Sequence, residues 1–209
     1  MRKILISLGS NKGGEFPTFK ASKIYSSDFL IYAFEPEPRC FNKIASVAKI
    51  VPNITHIKKA VSTIDGTLSW NIGNLTVSGT LRDDKKWGMS GEKVLVETIN
   101  LSRWFAENIN PDDYVIMTVD IEGSEYDVLE QMISTGEIDK VNKIYVEFHN
   151  NYKFDNIEEK RDEEIRATLD ARFKENFFAR YVEGNLKEFG KTYPDLDPNM
   201  FNNIGTISV

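Results

Sequence analysis

Apolar and polar positions along this chain follow two periods, and their succession predicts alternating strands and helices. Mainly apolar runs cover 3–8, 29–34, 114–119 and 143–149. Short runs rich in Ile, Val, Phe and Tyr read as strands buried on both faces, as in a parallel sheet. A weaker run covers 54–58, and 94–99 is a further extended stretch. Helical spacing appears between them. A short, poorly patterned helix is expected over 18–25. Pro38 opens a second helix in the favoured first-turn position, with Phe41, Ile44, Ala45 and Ala48 as its apolar stripe. Leu101, Trp104, Phe105 and Asn108 mark a third, whose aromatics are core. Val128, Leu129, Met132 and Ile133 mark a fourth, ending near Thr135-Gly136. Asn156 and Glu159 stand at capping-box spacing, so a fifth is expected over 156–176 with Ile165, Leu169 and Phe173 inward.

Three stretches break the alternation. Asp65-Gly66 separates 60–63 from 67–70 and predicts a hairpin between them. Residues 71–92 are polar and hold four glycines. A loop of that length in a compact domain is functional or disordered, and a substrate-side flap is the expectation. The tail offers 178–182 and 204–209, expected as an antiparallel pair closing the sheet, with a polar connection at 184–203 that shapes the substrate side.

Composition narrows the class. The chain has 209 residues, 41% of them hydrophobic and 28% charged, which fits one soluble α/β domain over 1–209. A net charge of -6 argues against nucleic acid as a partner. Lys58-Lys59 and Lys85-Lys86 read as solvated surface lysines. The single Cys40 rules out an internal disulfide and reads as a small buried hydrophobe. No apolar run reaches membrane-spanning length, and 1–7 is too short for a signal peptide, so a cytoplasmic protein is expected. Nothing in the sequence fixes an oligomeric state.

The chemistry gathers at strand ends, where ligands bind in open α/β sheets. Gly9-Ser10-Asn11-Lys12-Gly13 follows the first strand, and such a turn lets the backbone approach a ligand. It is neither the dinucleotide pattern, because Asn11 replaces the middle glycine, nor a phosphate loop. Glu35 ends the second strand, followed by Pro36. With the glycine turn, it is expected to accept hydrogen bonds from a ribose diol; alone, it reads equally as a helix N-terminal acid. Asp120, Glu122 and Glu125 follow the 114–119 strand. Glu122 is expected to face the site. Glu125 shares a face with Leu129 and Met132, and an architectural role is expected for it. Glu147 and His149 end the next strand. A neutral imidazole at 149 suits a general base near pH 7; the alternative is a satisfied structural group. His56 has no such company and reads as structural.

The order of these pieces resembles a known family. The glycine turn, Phe34-Glu35-Pro36, Ala60-Val61, Leu101 with Trp104, Asp120-Ile121-Glu122-Gly123-Ser124-Glu125 and Val146-Glu147-Phe148-His149 are similar to the FkbM methyltransferases. The resemblance runs from about residue 4 to residue 149. It implies a class I methyltransferase (Rossmann-like) fold, an α/β three-layer sandwich whose mostly parallel seven-stranded sheet ends in an antiparallel strand. It implies S-adenosylmethionine as cofactor. By similarity Gly9, Asn11 and Gly13, with Ser10, line its methionine part and Glu35 and Pro36 its ribose. Ala60 and Val61 then lie near the adenine, and Asp120 near the methyl to be transferred. The acceptor implied is a hydroxyl on a sugar or secondary metabolite. Two residues depart from the family pattern. Ser7 stands where an acid usually ends the first strand, which removes a partner for the cofactor's ammonium. Met117, Thr118 and Val119 precede Asp120 where a lysine is common.

Methyl transfer to a hydroxyl needs alignment and a base, and Asp120, His149 and Glu122 are the candidates. No metal is assigned; a divalent cation held by Asp120, Glu122 and Glu147 is the other route to an acidified hydroxyl. Trp70, Trp87, Tyr152 and Tyr193 are candidates to stack on a sugar ring. Two rival readings are a nicotinamide-dependent oxidoreductase and a degenerate methyltransferase domain that only binds its cofactor or a partner.

Overall fold

The computed structural model of the chain describes residues 1–150 and 153–181. In chain order its elements are β1 (Lys3–Leu8), α1 (Glu15–Ala21), β2 (Phe29–Phe34), α2 (Pro38–Val47), β3 (Ile54–Ile57), β4 (Ala60–Ser62), β5 (Gly66–Gly73), β6 (Met89–Asn100), α3 (Leu101–Asn108), β7 (Tyr114–Val119), α4 (Glu125–Thr135), β8 (Lys143–Phe148), α5 (Glu159–Phe173) and β9 (Phe177–Tyr181). Six strands form the central sheet in the order β3-β2-β1-β7-β8-β9, every pairing parallel. The winding reverses between β1 and β7, which leaves a crevice at their carboxyl ends.

The unbroken apolar runs have a direct cause. Along β1, Ile4, Ile6 and Leu8 enter one core with Leu101, Phe105, Tyr126 and Leu169 from the helices on that face. Leu5 enters the opposite core with Phe16 and Phe19 of α1. Helices therefore cover both faces, so the strand is apolar throughout its middle, and its one buried polar residue, Ser7, lies at the end where Glu15 and Ser10 hydrogen-bond it. Trp104 sits edge-on to Tyr32 and Phe34, with centroids 5.0 and 5.1 Å away, confirming these aromatics as packing.

Helix ends follow local chemistry. Glu37 caps α2 by accepting from the Arg39 amide, with Pro38 in the first turn. Asn100 caps α3 through the Arg103 amide at 3.0 Å. α4 stops at Gly136 in the left-handed conformation.

Several expectations change. α1 begins three residues before the predicted 18, because Phe16 and Phe19 both face the sheet. α5 starts at Glu159, and the capping box of Asn156 with Glu159 does not form. The Asn156 amide donates instead to Asp84 Oδ2 at 2.9 Å, which holds that segment outside the helix. No hairpin forms around Asp65-Gly66. β6 runs between β4 and β5, parallel to the first and antiparallel to the second, in a separate sheet ordered β4-β6-β5. Asp65 turns outward and pairs twice with Arg103 at 2.7 Å. The expected 71–92 loop shrinks to 74–88, because β5 runs on to Gly73 and β6 begins at Met89. β9 runs parallel to β8. The antiparallel strand expected over 204–209, and the 184–203 connection, lie outside the described residues. Among the described residues, no helix is long and apolar enough to cross a membrane.

Fully buried Phe105 and exposed Asp65 predict opposite costs in chemical denaturation. Phe105→Ala should lower unfolding free energy by about 3–5 kcal/mol through lost burial and a cavity. Asp65→Ala should leave the unfolding midpoint almost unchanged, since its ion pair is exposed and solvent-screened.

Candidate active site

The crevice is built from the turn after β1. Gly9 has φ +83°, and a Cβ there would overlap the Asp120 carbonyl oxygen, so β1 and β7 can end side by side only with glycine here. The Gly9 and Ser10 amides both donate to the Phe34 carbonyl at 3.0 Å, tying the turn to the end of β2. Asn11, also left-handed at φ +45°, directs its amide to Glu35 Oε2 at 2.7 Å. Glu35 Oε1 accepts the Glu37 amide at 2.8 Å. Burial nevertheless pushes the Glu35 carboxyl up to about 7. Its carboxylate thus joins the glycine turn to the start of α2. Cys40 is buried beneath them, with Sγ 3.1 Å from Asn11 Oδ1.

Gly9, Asn11, Glu35, Pro36, Ala60, Val61, Asp120 and Glu122 line one cleft of about 560 Å³, its open mouth included. The facing wall comes from the small sheet and the 74–88 loop: Trp70, Thr76, Val77, Gly79 and Leu81. Ser7, Ser10 and Gly13 are buried behind the turn rather than in the cleft wall. Of the aromatic candidates, Trp70 reaches the wall, while Tyr152 and Tyr193 lie outside the described residues.

An acidic corner closes the far end. Asp120 opens into the cleft with 49% of its side chain exposed. Partial burial, then the Glu147 charge, holds its carboxyl well above the usual range. Glu122 adopts φ +49°, a conformation that costs a non-glycine residue about 1–2 kcal/mol, and it turns its carboxylate inward. Burial opposes that charge, but His149, Lys85 and Lys153 outweigh it and draw the carboxyl down to about 2. Fully buried His149 places Nδ1 2.7 Å from Glu125 Oε1. Its Nε2 stands 3.4 Å from Glu122 Oε1, 3.7 Å from Glu147 Oε1 and 3.8 Å from Asp120 Oδ1. Desolvation disfavours the imidazolium, yet the Glu125 and Glu122 charges raise its pKa well above the ordinary value. Glu125 takes the architectural role: it also accepts the Ile121 and Gly123 amides at 3.1 and 2.8 Å.

Sequence reasoning missed three charged groups. Lys85 is no surface lysine; only 3% of its side chain is exposed, and Nζ donates to Ser78 O at 2.7 Å and Glu122 Oε2 at 2.6 Å. Lys153 approaches the same carboxylate at 3.3 Å. The strand before Asp120 lacks a cation, and these two bring one from elsewhere. Glu15, from the first turn of α1, hydrogen-bonds the Ser7 hydroxyl. A carboxyl thus does reach the end of β1, pushed up to about 7 by burial. Its position eight residues from Ser7, across a turn, is invisible to motif reading.

A mainly parallel sheet with a glycine turn, an acid and a cleft at neighbouring strand ends defines a Rossmann-like α/β domain. The model of the methyltransferase FkbM domain matches residues 7–179, and the chain belongs to that family of methyltransferases. No curated protein matches the chain.

Gly9 and Gly14 provide a matched pair. Gly9→Ala should destabilise by more than about 2 kcal/mol, through strain at positive φ plus overlap with the β7 backbone. Gly14 has φ -63° and open space around it. Gly14→Ala should stabilise by about 0.4–1 kcal/mol, and thermal unfolding of both variants checks the contrast.

Proposed function

We propose that this chain is an S-adenosylmethionine-dependent O-methyltransferase acting on a hydroxyl of a sugar or secondary metabolite. One observation carries the reading: the Gly9–Asn11 turn and Glu35 are hydrogen-bonded together on one wall of a cleft whose far end is acidic. The residues fit the cofactor chemically. Glu35 is the acceptor for the ribose diol. Ala60 and Val61 give an apolar floor for the adenine. Gly9 and Asn11 line the cleft at the turn, where the methionine part would lie. The Glu15 carboxyl, hydrogen-bonded behind Ser7, puts an acid near the end of β1 where the sequence alone shows none.

When bound, the cofactor supplies an electrophilic methyl group on a sulfonium. The protein's own work is alignment and proton removal. Asp120 is the group that opens into the cleft, and its raised pKa makes it a stronger base than an ordinary aspartate. Glu122 and His149 stand behind it and set its electrostatic surroundings. The acceptor enters between Asp120 and the wall formed by Trp70 and Leu81.

Calorimetric titration with S-adenosylmethionine tests the assignment. Glu35→Ala should bind about 10- to 100-fold more weakly, the loss of one or two hydrogen bonds to a carboxylate. Asp120→Asn should keep the cofactor and lose transfer, read by mass spectrometry of an acceptor panel with labelled cofactor. Unchanged affinity in Glu35→Ala would overturn the site. Retained binding in the wild type with no transfer to any acceptor would favour the binding-module reading.

A pH dependence follows from Glu35. Only its ionised form accepts from both diol hydroxyls, and its carboxyl titrates near 7 in the free protein. Affinity should therefore rise about tenfold from about pH 6 to about pH 8 and then level off. Glu35→Gln should flatten that rise.

A further inference from the structure

His149 poses a specific problem of valence. Its ring is fully buried, and Nε2 has no hydrogen-bond partner. Glu125 holds the opposite nitrogen, Nδ1, at 2.7 Å. With Nδ1 held by the Glu125 carboxylate, a cation that displaces the Nε2 proton meets that nitrogen's lone pair aimed among the other carboxylates, as behind metal-ligating histidines. Around Nε2 lie the three carboxylate oxygens of Glu122, Glu147 and Asp120, at 3.4, 3.7 and 3.8 Å. Those separations leave a gap rather than a set of hydrogen bonds.

The gap has the dimensions of a cation. Ligand atoms about 2.1 Å from a shared divalent ion lie about 3.0 to 4.2 Å from one another in tetrahedral or octahedral arrangements. The donor atoms of Asp120, Glu122 and His149 all lie within 4.8 Å of one another. Glu122 divides its oxygens: Oε2 goes to Lys85 at 2.6 Å, and Oε1 faces His149. Lys153 Nζ, 3.3 Å from that Oε1, is the competing cation. Asp120 opens this corner to the cleft, so an acceptor can reach it.

We infer that Asp120, Glu122 and His149 bind one first-row divalent cation at the acceptor end of the cleft, with Glu147 beside it. One nitrogen among carboxylate oxygens suits Mn²⁺, Fe²⁺ or Zn²⁺ better than Ca²⁺ or Mg²⁺, which take oxygen alone. The cation's use rests on the methyl-transfer reading above. An acceptor hydroxyl coordinated to it loses its proton to water at the cleft mouth. The freed oxygen then forms a bond to the methyl carbon as the carbon–sulfur bond breaks, its electron pair staying on sulfur. Asp120 is then a ligand rather than the base.

The test is titration of the intact chain with Mn²⁺, followed by the loss of the free-ion paramagnetic signal and by calorimetry. One Mn²⁺ per chain is expected. Asp120→Asn should weaken it at least tenfold, with circular dichroism confirming the fold. Lys153→Met should tighten it severalfold by removing the competitor. Absence of Mn²⁺ and Zn²⁺ binding in the wild type up to about 1 mM, where association is worth only about 4 kcal/mol, would overturn the inference. So would undiminished binding in folded Asp120→Asn. A parallel titration with S-adenosylmethionine in chelator separates the two proposals. Cofactor binding without metal binding sinks only this one, and metal binding without cofactor binding sinks only the other.

Discussion

The Glu125 carboxylate is the constraint on which the site depends. It is fully buried, and it accepts from the Ile121 and Gly123 amides and lies against His149 Nδ1. With these contacts it ties together the turn after β7, the first turn of α4 and the end of β8. A buried carboxylate without such partners would cost several kcal/mol, so the turn cannot relax without exposing or neutralising it. Glu122 keeps its left-handed backbone, and so its inward carboxylate, because that turn is held. The position of the imidazole follows from the same bonds.

The other half of the cleft has a simpler logic. β1 and β7 end side by side, and the chain leaves them in opposite directions. Only a residue without a Cβ fits at Gly9, against the β7 backbone. Glu35 then serves the turn and the cleft together, because its two oxygens are aimed by the Asn11 and Glu37 amides. The 74–88 loop on the facing wall is fixed by one ion pair and two hydrogen bonds. Lys85 reaches from the 74–88 loop to Glu122, Thr80 donates to the Glu122 carbonyl at 2.6 Å, and the Lys86 amide bonds Lys153 O at 2.9 Å.

Much of this was legible in the sequence, for a physical reason. β1, β2, β7 and β8 are buried on both faces, so their composition is dictated residue by residue, and their ends carry the acids and glycines that a crevice requires. The family could be read from those same ends. What was hidden depended on distant pairing. Ala60-Val61-Ser62 and the stretch after Gly66 carry hairpin chemistry, yet both pair with the distant β6 rather than with each other, while Asp65 bonds α3. Lys85 sits in a polar run beside Lys86 and looks solvated; only the fold buries it beside Glu122. Glu15 reaches Ser7 across a turn, where no motif spacing would have sought it. Asn156 has capping chemistry, but Asp84 claims its backbone first.

The most direct measurement is a crystal structure of the chain soaked with S-adenosylmethionine or its demethylated product. Both ribose hydroxyls are expected within hydrogen-bonding distance of the Glu35 carboxylate, with the sulfur directed toward Asp120. Clear density for the nucleoside elsewhere on the molecule, or an unchanged cleft at saturating ligand, would contradict the proposed site.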